Sequence, residues 1–363
     1  MSEKSSSIHY INYLDLDKIL NAQNTVSGKG NAAAHEEMLF IIIHQTYELW
    51  FKQIIHELES IISMFKTDTI DESSLSTVVK RVSRINTIMD TLINQIEILE
   101  TMTAIEFLDF RNHLSPASGF QSHQFRKIEV MTGLKIKNRH EFGGCPYHDQ
   151  FENNKKSEIL NLEKNESLFD LLEKWLERIP FLKINEFDFI QKYDEAVNKM
   201  IGKEIQSLES SKHIEDKERE IRIKMINENR KYFSQILNEE NHKIAIKNGE
   251  TSLSYKATMS ALLINLYHEE PILHMPYKLI QKLIEFDHKI ATWRFRHMQM
   301  VEKMLGKKVG TGGSSGQGYL KNTVEKHKIF TDLCNISTLL ISKTHLPELS
   351  ESLKQSLGFH YTK

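Results

Sequence analysis

His297 closes the segment Trp293-Arg294-Phe295-Arg296-His297, and twelve residues after Met298 the chain reads Thr311-Gly312-Gly313-Ser314-Ser315-Gly316. With Phe286, Ile290, Trp293, Met300, Val301 and Met304, this histidine falls on the apolar stripe of a helical pattern rather than on its wet face. An imidazole in such a place can hydrogen-bond a carbonyl as an ordinary core residue, or ligate the iron of a large apolar cofactor such as haem. Position alone favours the core role. A second helix shows the same oddity. In Phe40-Ile41-Ile42-Ile43-His44-Gln45-Thr46-Tyr47-Glu48-Leu49-Trp50-Phe51, positions 40, 44, 47 and 51 share one face, so aromatic rings flank His44. Facing each other, the two histidines would form the proximal and distal walls of a flat cofactor site.

Between them in sequence lie Phe107-Leu108-Asp109-Phe110-Arg111 and Ser115-Pro116-Ala117-Ser118-Gly119-Phe120-Gln121. Arg111, near a helix end and beside two phenylalanines, suits bidentate capture of a carboxylate in an apolar pocket; it equally suits a surface pair with Asp109 or Glu106. The loop Gly310–Gly318 lacks the Gly-Lys-Ser/Thr ending of a phosphate loop and no strand precedes it, so its backbone donors and the Thr311 hydroxyl fit an amino-acid head group as well as a phosphate. Glu239-x-x-His242 and Glu285-x-x-His288 have the spacing of di-iron bundles, but the first sits in a polar stretch and the second is then left without a partner. His140, Cys145 and His148 are too irregularly spaced for a zinc site.

The elements that must carry these residues are helices. Glycine (15) and proline (6) are scarce, no alternating strand pattern flanks a tight turn, and Pro116, Pro146, Pro180, Pro271, Pro276 and Pro347 fall where helices start or end. Helical periodicity runs through roughly 34–66, 72–103, 104–113, 121–133, 158–177, 204–247, 254–268, 276–305 and 320–340. The expected fold is all-α: a helical bundle enclosing the cofactor pocket, one catalytic domain over 1–363, with an N-terminal arm over about 1–20. The stretch from about 134 to 250, rich in Lys, Glu and Asn, reads as a charged helical excursion without chemistry of its own.

Bulk properties exclude several classes. A formal net charge of −2 gives no case for nucleic acid or an anionic membrane. Two cysteines, Cys145 and Cys334, are too few for a disulfide framework and point to a reducing compartment. Met1 to Ser7 is polar, unlike a signal peptide, and the apolar run Met38 to Ile43 stops far short of a membrane span. A cytoplasmic location is expected.

With His44, Arg111, His297 and Thr311 in hand, the chain resembles the tryptophan 2,3-dioxygenase family. The resemblance rests on Phe40 to Trp50, on Phe110-Arg111 with Pro116 to Ser122, on Trp293 to His297 and on Gly310 to Gly316, in family order from about Tyr10 to at least Tyr319, with only 134–250 matching loosely. It implies an all-helical, homotetrameric haem b enzyme, active as Fe(II), that oxidises L-tryptophan with O₂ to N-formyl-L-kynurenine, the first step of tryptophan catabolism by the kynurenine route. On this reading His297 is the proximal iron ligand. His44 lies distal and hydrogen-bonds the indole N–H, with Phe40 and Ile43 lining the pocket. Arg111 holds the substrate carboxylate, Thr311 the ammonium end, and Ser118 and Gly119 sit beside the haem edge. Tyr10 and Tyr13 match a pair that reaches into a neighbouring subunit's site. Phe107 stands where some members have tyrosine, so it is expected to pack against the indole rather than supply a phenol. The competing class is a non-catalytic helical scaffold or simple haem-binding protein. A scaffold gives no Soret band on haem addition; a spectrum of the ferrous protein with L-tryptophan and O₂ separates an enzyme from a mere haem binder.

Overall fold

A computed structural model describes residues 8–28, 33–67, 69–135, 147–184, 186–306, 308, 320–321, 323–324 and 327–358. The chain opens with two short helices, α1 (Tyr10–Tyr13) and α2 (Leu16–Leu20), whose residues leave no side chain buried. Residues 26 and 27 are tied down nonetheless. The Glu37 carboxylate accepts the Val26 N–H at 2.7 Å and the Ser27 N–H at 3.0 Å, fixing the arm to the start of α3 (Glu36–Phe65).

Helix α3 runs 30 residues with neither glycine nor proline. The Asp71 side chain caps α4 (Glu72–Leu99) by accepting the Ser74 N–H at 2.6 Å. Thr103 and Glu106 form a reciprocal capping box at α5 (Ala104–Arg111), and Ser122 caps α6 (His123–Thr132). Then follow α7 (Asn153–Leu162) and α8 (Leu168–Glu177), a two-stranded antiparallel ribbon of β1 (Lys183–Ile184) and β2 (Phe187–Asp188), and helices α9 (Phe189–Ser210), α10 (Asp216–Leu237), α11 (Glu239–Asn248) and α12 (Tyr255–Leu266). Helix α13 (Pro271–Leu305) is the longest, and α14 (Thr331–Asn335) and α15 (Glu351–Leu357) close the described chain. The architecture is all-α, as the periodicity implies.

Helix α13 lies along α4, α4 packs on α3, and α3 takes α6 and α8 on its other sides; α8 in turn packs on α12. The two histidine-bearing helices are thus brought together through α4. Where boundaries depart from the sequence expectation, side chains explain the breaks. The stretch 158–177 divides because Ser167 and Asp170 form a capping box that restarts the chain as α8. The stretch 204–247 begins earlier, at Phe189, and breaks twice. Arg219 donates to the carbonyls of Leu208, Ser211 and Ile214, ending α9, and the Asn238 side chain accepts the Asn241 N–H at 2.9 Å, starting α11. Helix α13 starts at Pro271, a good first helical residue, with Pro276 inside it. In place of a helix across 320–340, regular α-structure between 327 and 340 is confined to α14, because the Asp287 carboxylate accepts the Ile329 N–H at 2.9 Å and the Phe330 N–H at 3.1 Å.

The charged stretch is less peripheral than its composition suggests. Leu168, Phe169, Leu171, Leu172, Trp175 and Leu176 of α8, and Phe189, Tyr193, Val197 and Ile201 of α9, are all core residues. Helices α7, α10 and α11 keep mostly solvated faces, and even there His242 is 5% exposed, its Nε2–H donated to the Leu253 carbonyl at 2.8 Å. His242 is therefore a satisfied core histidine despite its polar sequence neighbourhood.

Gly133 ends α6 with φ +111°, and a Cβ built there would stand 2.6 Å from the Phe169 Cβ and 2.9 Å from the Ser167 Oγ. Both the backbone conformation and the contact with α8 reject a side chain. Gly133→Ala is expected to destabilise the fold by about 1–3 kcal/mol, read as a lower denaturant midpoint at unchanged slope; an unchanged midpoint would mean that the α6–α8 junction yields freely.

Candidate active site

His44 and His297 face one cleft. A compartment of about 110 Å³ is walled by His44, Tyr47, Glu48, Phe51, Trp293, His297 and Met300, with Ile96 and Leu99 from α4 and Gly119, Ser122 and Phe125 from the segment entering α6. A second, of about 90 Å³, is walled by Phe40, His44, Leu99, Met102, Phe107, Met300, Val301, Met304 and Leu305. His44, Leu99 and Met300 belong to both, so the second compartment continues the first past the His44 ring. A larger hollow of about 450 Å³ lies elsewhere, among α10, α11, α12 and α14, and neither histidine lines it.

The protonation of the pair follows from its surroundings. The Nδ1 of His44 lies 2.7 Å from the Phe40 carbonyl of its own helix. Burial pushes the His44 pKa below its ordinary value despite that bond and the nearby Glu48 carboxylate, which pull the other way. The ring remains accessible from the cleft, so the protein crowding it, not full enclosure, sets this direction. A neutral imidazole next to a carbonyl, which only accepts, must carry its proton on Nδ1; Nε2 is left as a bare acceptor. Burial also pushes His297 down to about 4, with further contributions from His44 and the Arg294 guanidinium. No hydrogen bond to either nitrogen of His297 occurs among the described residues, and its ring stacks on Trp293 with centroids 5.7 Å apart and planes 6° apart. Both rings therefore enter the cleft with a free lone pair.

Aromatic packing sets the walls. Phe40 lies 4.1 Å from His44 and 5.8 Å from Phe107 between centroids, and Phe110 stands 5.5 Å from each phenylalanine. Trp293 meets Tyr47, Phe51 and Phe125 at 6.0, 6.2 and 5.1 Å. The Tyr47 hydroxyl donates to the Leu92 carbonyl at 2.7 Å, and burial raises its pKa to about 12, so it stays a phenol.

Of the residues singled out from sequence, Phe40, His44, Phe107, Gly119 and His297 line the cleft. Ile43 is buried in the adjoining apolar cluster with Phe110 and Met300, one layer behind the wall. Ser118 accepts the Phe120 N–H at 3.3 Å, shaping the turn that presents Gly119. Arg111 ends α5, half-buried next to Phe110, and lines neither compartment. Tyr10 and Tyr13 are 68% and 73% exposed on α1, away from the cleft of their own chain. Thr311 and its glycine-rich loop lie outside the described residues, as do His140 and Cys145. Sequence reading missed the contribution of α4, whose apolar stripe runs out at Leu99 and supplies the cleft floor. It also missed Glu48, which accepts from the Ser122 hydroxyl at 2.6 Å and the Gln124 amide at 2.8 Å and so pins the Gly119 turn to α3.

The family profile described as Tryptophan 2,3-dioxygenase matches residues 1–340. The chain belongs to the tryptophan 2,3-dioxygenase family. Proteins named tryptophan 2,3-dioxygenase from Bdellovibrio bacteriovorus and Alteromonas mediterranea are 42% and 43% identical to it, over 99% of this chain and 100% and 99% of their own lengths. One from Dictyostelium discoideum is 44% identical over 98% of this chain and 89% of its own.

Membership in the tryptophan 2,3-dioxygenase family implies a haem, and the donor set fits one. An unprotonated imidazole without a competing hydrogen-bond partner among the described residues is a suitable axial ligand. The walls are mostly apolar and aromatic, their Glu48 carboxylate being bonded by Ser122 and Gln124, and beside Gly119 nothing lies within 4 Å of a would-be Cβ, which leaves the cleft open there. Among the described residues no group of three or more His, Cys, Asp or Glu side chains could hold a bare metal ion instead. No described helix is long and apolar enough to cross a membrane.

The His297 pKa carries a stability consequence. Its folded value of about 4 lies below the ordinary 6.5, so unfolding takes up a proton between these limits. Its contribution is intact above 6.5 and is lost as pH falls toward 4, and His44 acts in the same direction. The haem-free protein should lose stability between about pH 7 and about pH 4.5, and His297→Leu should lose less over the same interval. Urea unfolding at both pH values measures this; equal losses would show that His297 is not held neutral by burial.

Proposed function

We propose that this chain is a tryptophan 2,3-dioxygenase that uses haem b in the ferrous state to insert O₂ across the indole C2–C3 bond of L-tryptophan, giving N-formyl-L-kynurenine. The observation that carries the reading is the pair of neutral, lone-pair-bearing imidazoles across one aromatic cleft, in a chain of this family. When bound, the haem supplies O₂ binding and the electron chemistry of the insertion.

The roles of the protein groups follow from their chemistry. His297 holds the iron. His44 accepts the indole N–H through Nε2, the only nitrogen its Phe40 bond leaves free, and so orients the ring rather than donating to it. Phe40 and Phe107 pack the indole faces, and Ile43 backs them. Gly119, held by Ser118 and by the Glu48 link, leaves room at the haem edge. Arg111 provides the planar guanidinium for the substrate carboxylate, and Thr311 the hydroxyl for the ammonium group. Indole without the amino-acid head forgoes the carboxylate–guanidinium pair and should bind poorly. The protein is proposed to work in the cytoplasm as a homotetramer. Ile8, Tyr10, Tyr13 and Leu20 are between 68% and 73% exposed, apolar side chains on an arm that among the described residues is fastened at residues 26–27, by the Gln45 amide N–H donated to the Ala22 carbonyl and by the Gln23 amide N–H donated to the Gln45 side-chain oxygen. These side chains suit docking on a second subunit's cleft.

His297→Ala should lose stable haem binding, whereas His44→Ala should keep haem and turn over roughly 5- to 150-fold more slowly, the equivalent of about 1–3 kcal/mol for one lost substrate hydrogen bond. Haem content and steady-state kinetics of the two variants test this, and the opposite pattern would exchange the roles of the histidines. Arg111→Lys should raise KM for L-tryptophan although charge is kept, because an ammonium cannot reproduce the bidentate fork. Deleting residues 1–17 should leave haem-bound protein with weak tryptophan affinity and a weakened oligomer. Full activity of that truncation as a monomer would remove the arm from the site.

A further inference from the structure

The hollow of about 450 Å³ among α10, α11, α12 and α14 is larger than either compartment of the cleft. Its size falls in the range of small-molecule sites, about 300–1,000 Å³. Three of its lining side chains converge on the backbone at 252–254. His242 donates its Nε2–H to the Leu253 carbonyl at 2.8 Å, the Leu253 N–H donates to Asp332 Oδ2 at 2.9 Å, and the Thr258 hydroxyl donates to the Ser254 carbonyl at 2.9 Å. The Ser252 N–H shares Asp332 Oδ2 at 2.6 Å. Each of these side chains keeps something to spare. A carbonyl only accepts, so in the neutral His242 ring the proton lies on Nε2, and Nδ1 has no hydrogen-bond partner among the described residues. Asp332 Oδ1 likewise accepts nothing there, and the Thr258 oxygen, its proton committed to Ser254, presents lone pairs. His242 and Thr258 are both buried, Thr258 at 8% exposure.

The chemistry of these atoms defines an occupant. All three are acceptors, one of them on a carboxylate, and Glu250 adds a second carboxylate to the walls, whereas no Lys or Arg lines the hollow. A ligand head that suits them must bring N–H donors and positive charge. An amino acid would leave its own carboxylate without a cation among these walls, so a plain amine fits better. Ile236, Ile244, Ile336 and Leu339 supply apolar wall for the rest of such a molecule. Ile244 and Tyr232, 54% and 41% exposed, mark the side open to solvent. We propose that this hollow binds a small primary amine with an apolar body, its ammonium group on Asp332 Oδ1 with His242 Nδ1 and the Thr258 oxygen as further acceptors. The site rests on neither histidine of the cleft, and it gives the histidine of Glu239-x-x-His242 a role that needs no metal.

The test is a calorimetric titration, without O₂ and near neutral pH, of the full-length haem-loaded protein with 2-phenylethylamine, L-tryptophan being present in excess to fill the cleft. Saturable binding is expected, with 2-phenylethanol, alike in shape but uncharged, weaker by about tenfold or more. Ala245→Trp, which fills the hollow from α11, should abolish amine binding and leave tryptophan turnover unchanged. Asp332→Asn keeps an oxygen for the Ser252 and Leu253 N–H groups but removes the charge, and should weaken the amine by about tenfold. Should either variant fail to fold, Ile244→Trp at the exposed mouth obstructs the hollow without entering the core, and the same loss of binding is required. The proposal is overturned by the absence of saturable binding, by equal affinity for the alcohol, or by amine binding that survives the tryptophan substitutions. Binding seen only when L-tryptophan is left out overturns it as well, since the amine would then occupy the cleft.

Discussion

Two imidazoles crowded by protein across one largely apolar cleft impose the condition that the surrounding structure satisfies. Each costs free energy to protonate there, so each presents a lone pair near neutral pH, and each needs its ring fixed by something other than water. The fold answers through long uninterrupted helices. Helix α3 carries His44 and makes the Phe40 carbonyl available to Nδ1; α13 carries His297 and stacks it on Trp293 one turn earlier. Helix α4, in contact with both, sets their separation and closes the floor with Leu99 and Ile96. Caps at Asp71, Thr103, Ser122 and Ser167 start the supporting helices where their apolar stripes meet this core.

The same condition explains where charge is tolerated. Glu48 and Glu129 are both close to the cleft, and each is saturated. Ser122 and Gln124 occupy Glu48, and Arg126 and Arg294 occupy Glu129. Glu48 still pulls the His44 pKa upward, but burial outweighs it. On the proposed reading this separates two tasks. The distal histidine needs an acceptor nitrogen for an indole N–H, and the proximal one needs an unshared lone pair for iron.

Much of this was legible in the chain itself. The all-α class followed from scarce glycine and proline and from 3.6-residue periodicity, and both histidines stood out because an ionisable ring interrupted an apolar stripe. The Phe40–His44 spacing is one helical turn, which is why sequence alone predicted a ring contact there that the structure contains; the Trp293–His297 stack has the same spacing. Long-range pairings were hidden. Nothing in the sequence connects Glu129 to Arg294 or Glu48 to Gln124, since such contacts depend on how helices cross. Helix ends were misjudged where side chains intervened, as when Arg219 took the last carbonyls of α9 and Asp287 turned the backbone at 329–330. Composition misled most in the charged stretch, whose α8 and α9 bury continuous apolar faces beneath a polar average.

The central claim is that one cleft holds haem on His297 and tryptophan on His44. A crystal structure of the haem-loaded ferrous protein with L-tryptophan bound tests it most directly. The account predicts an imidazole nitrogen of His297 on the iron and the indole N–H donating to Nε2 of His44, whose Nδ1 remains on the Phe40 carbonyl. Iron on His44, or tryptophan bound away from this cleft, would contradict it.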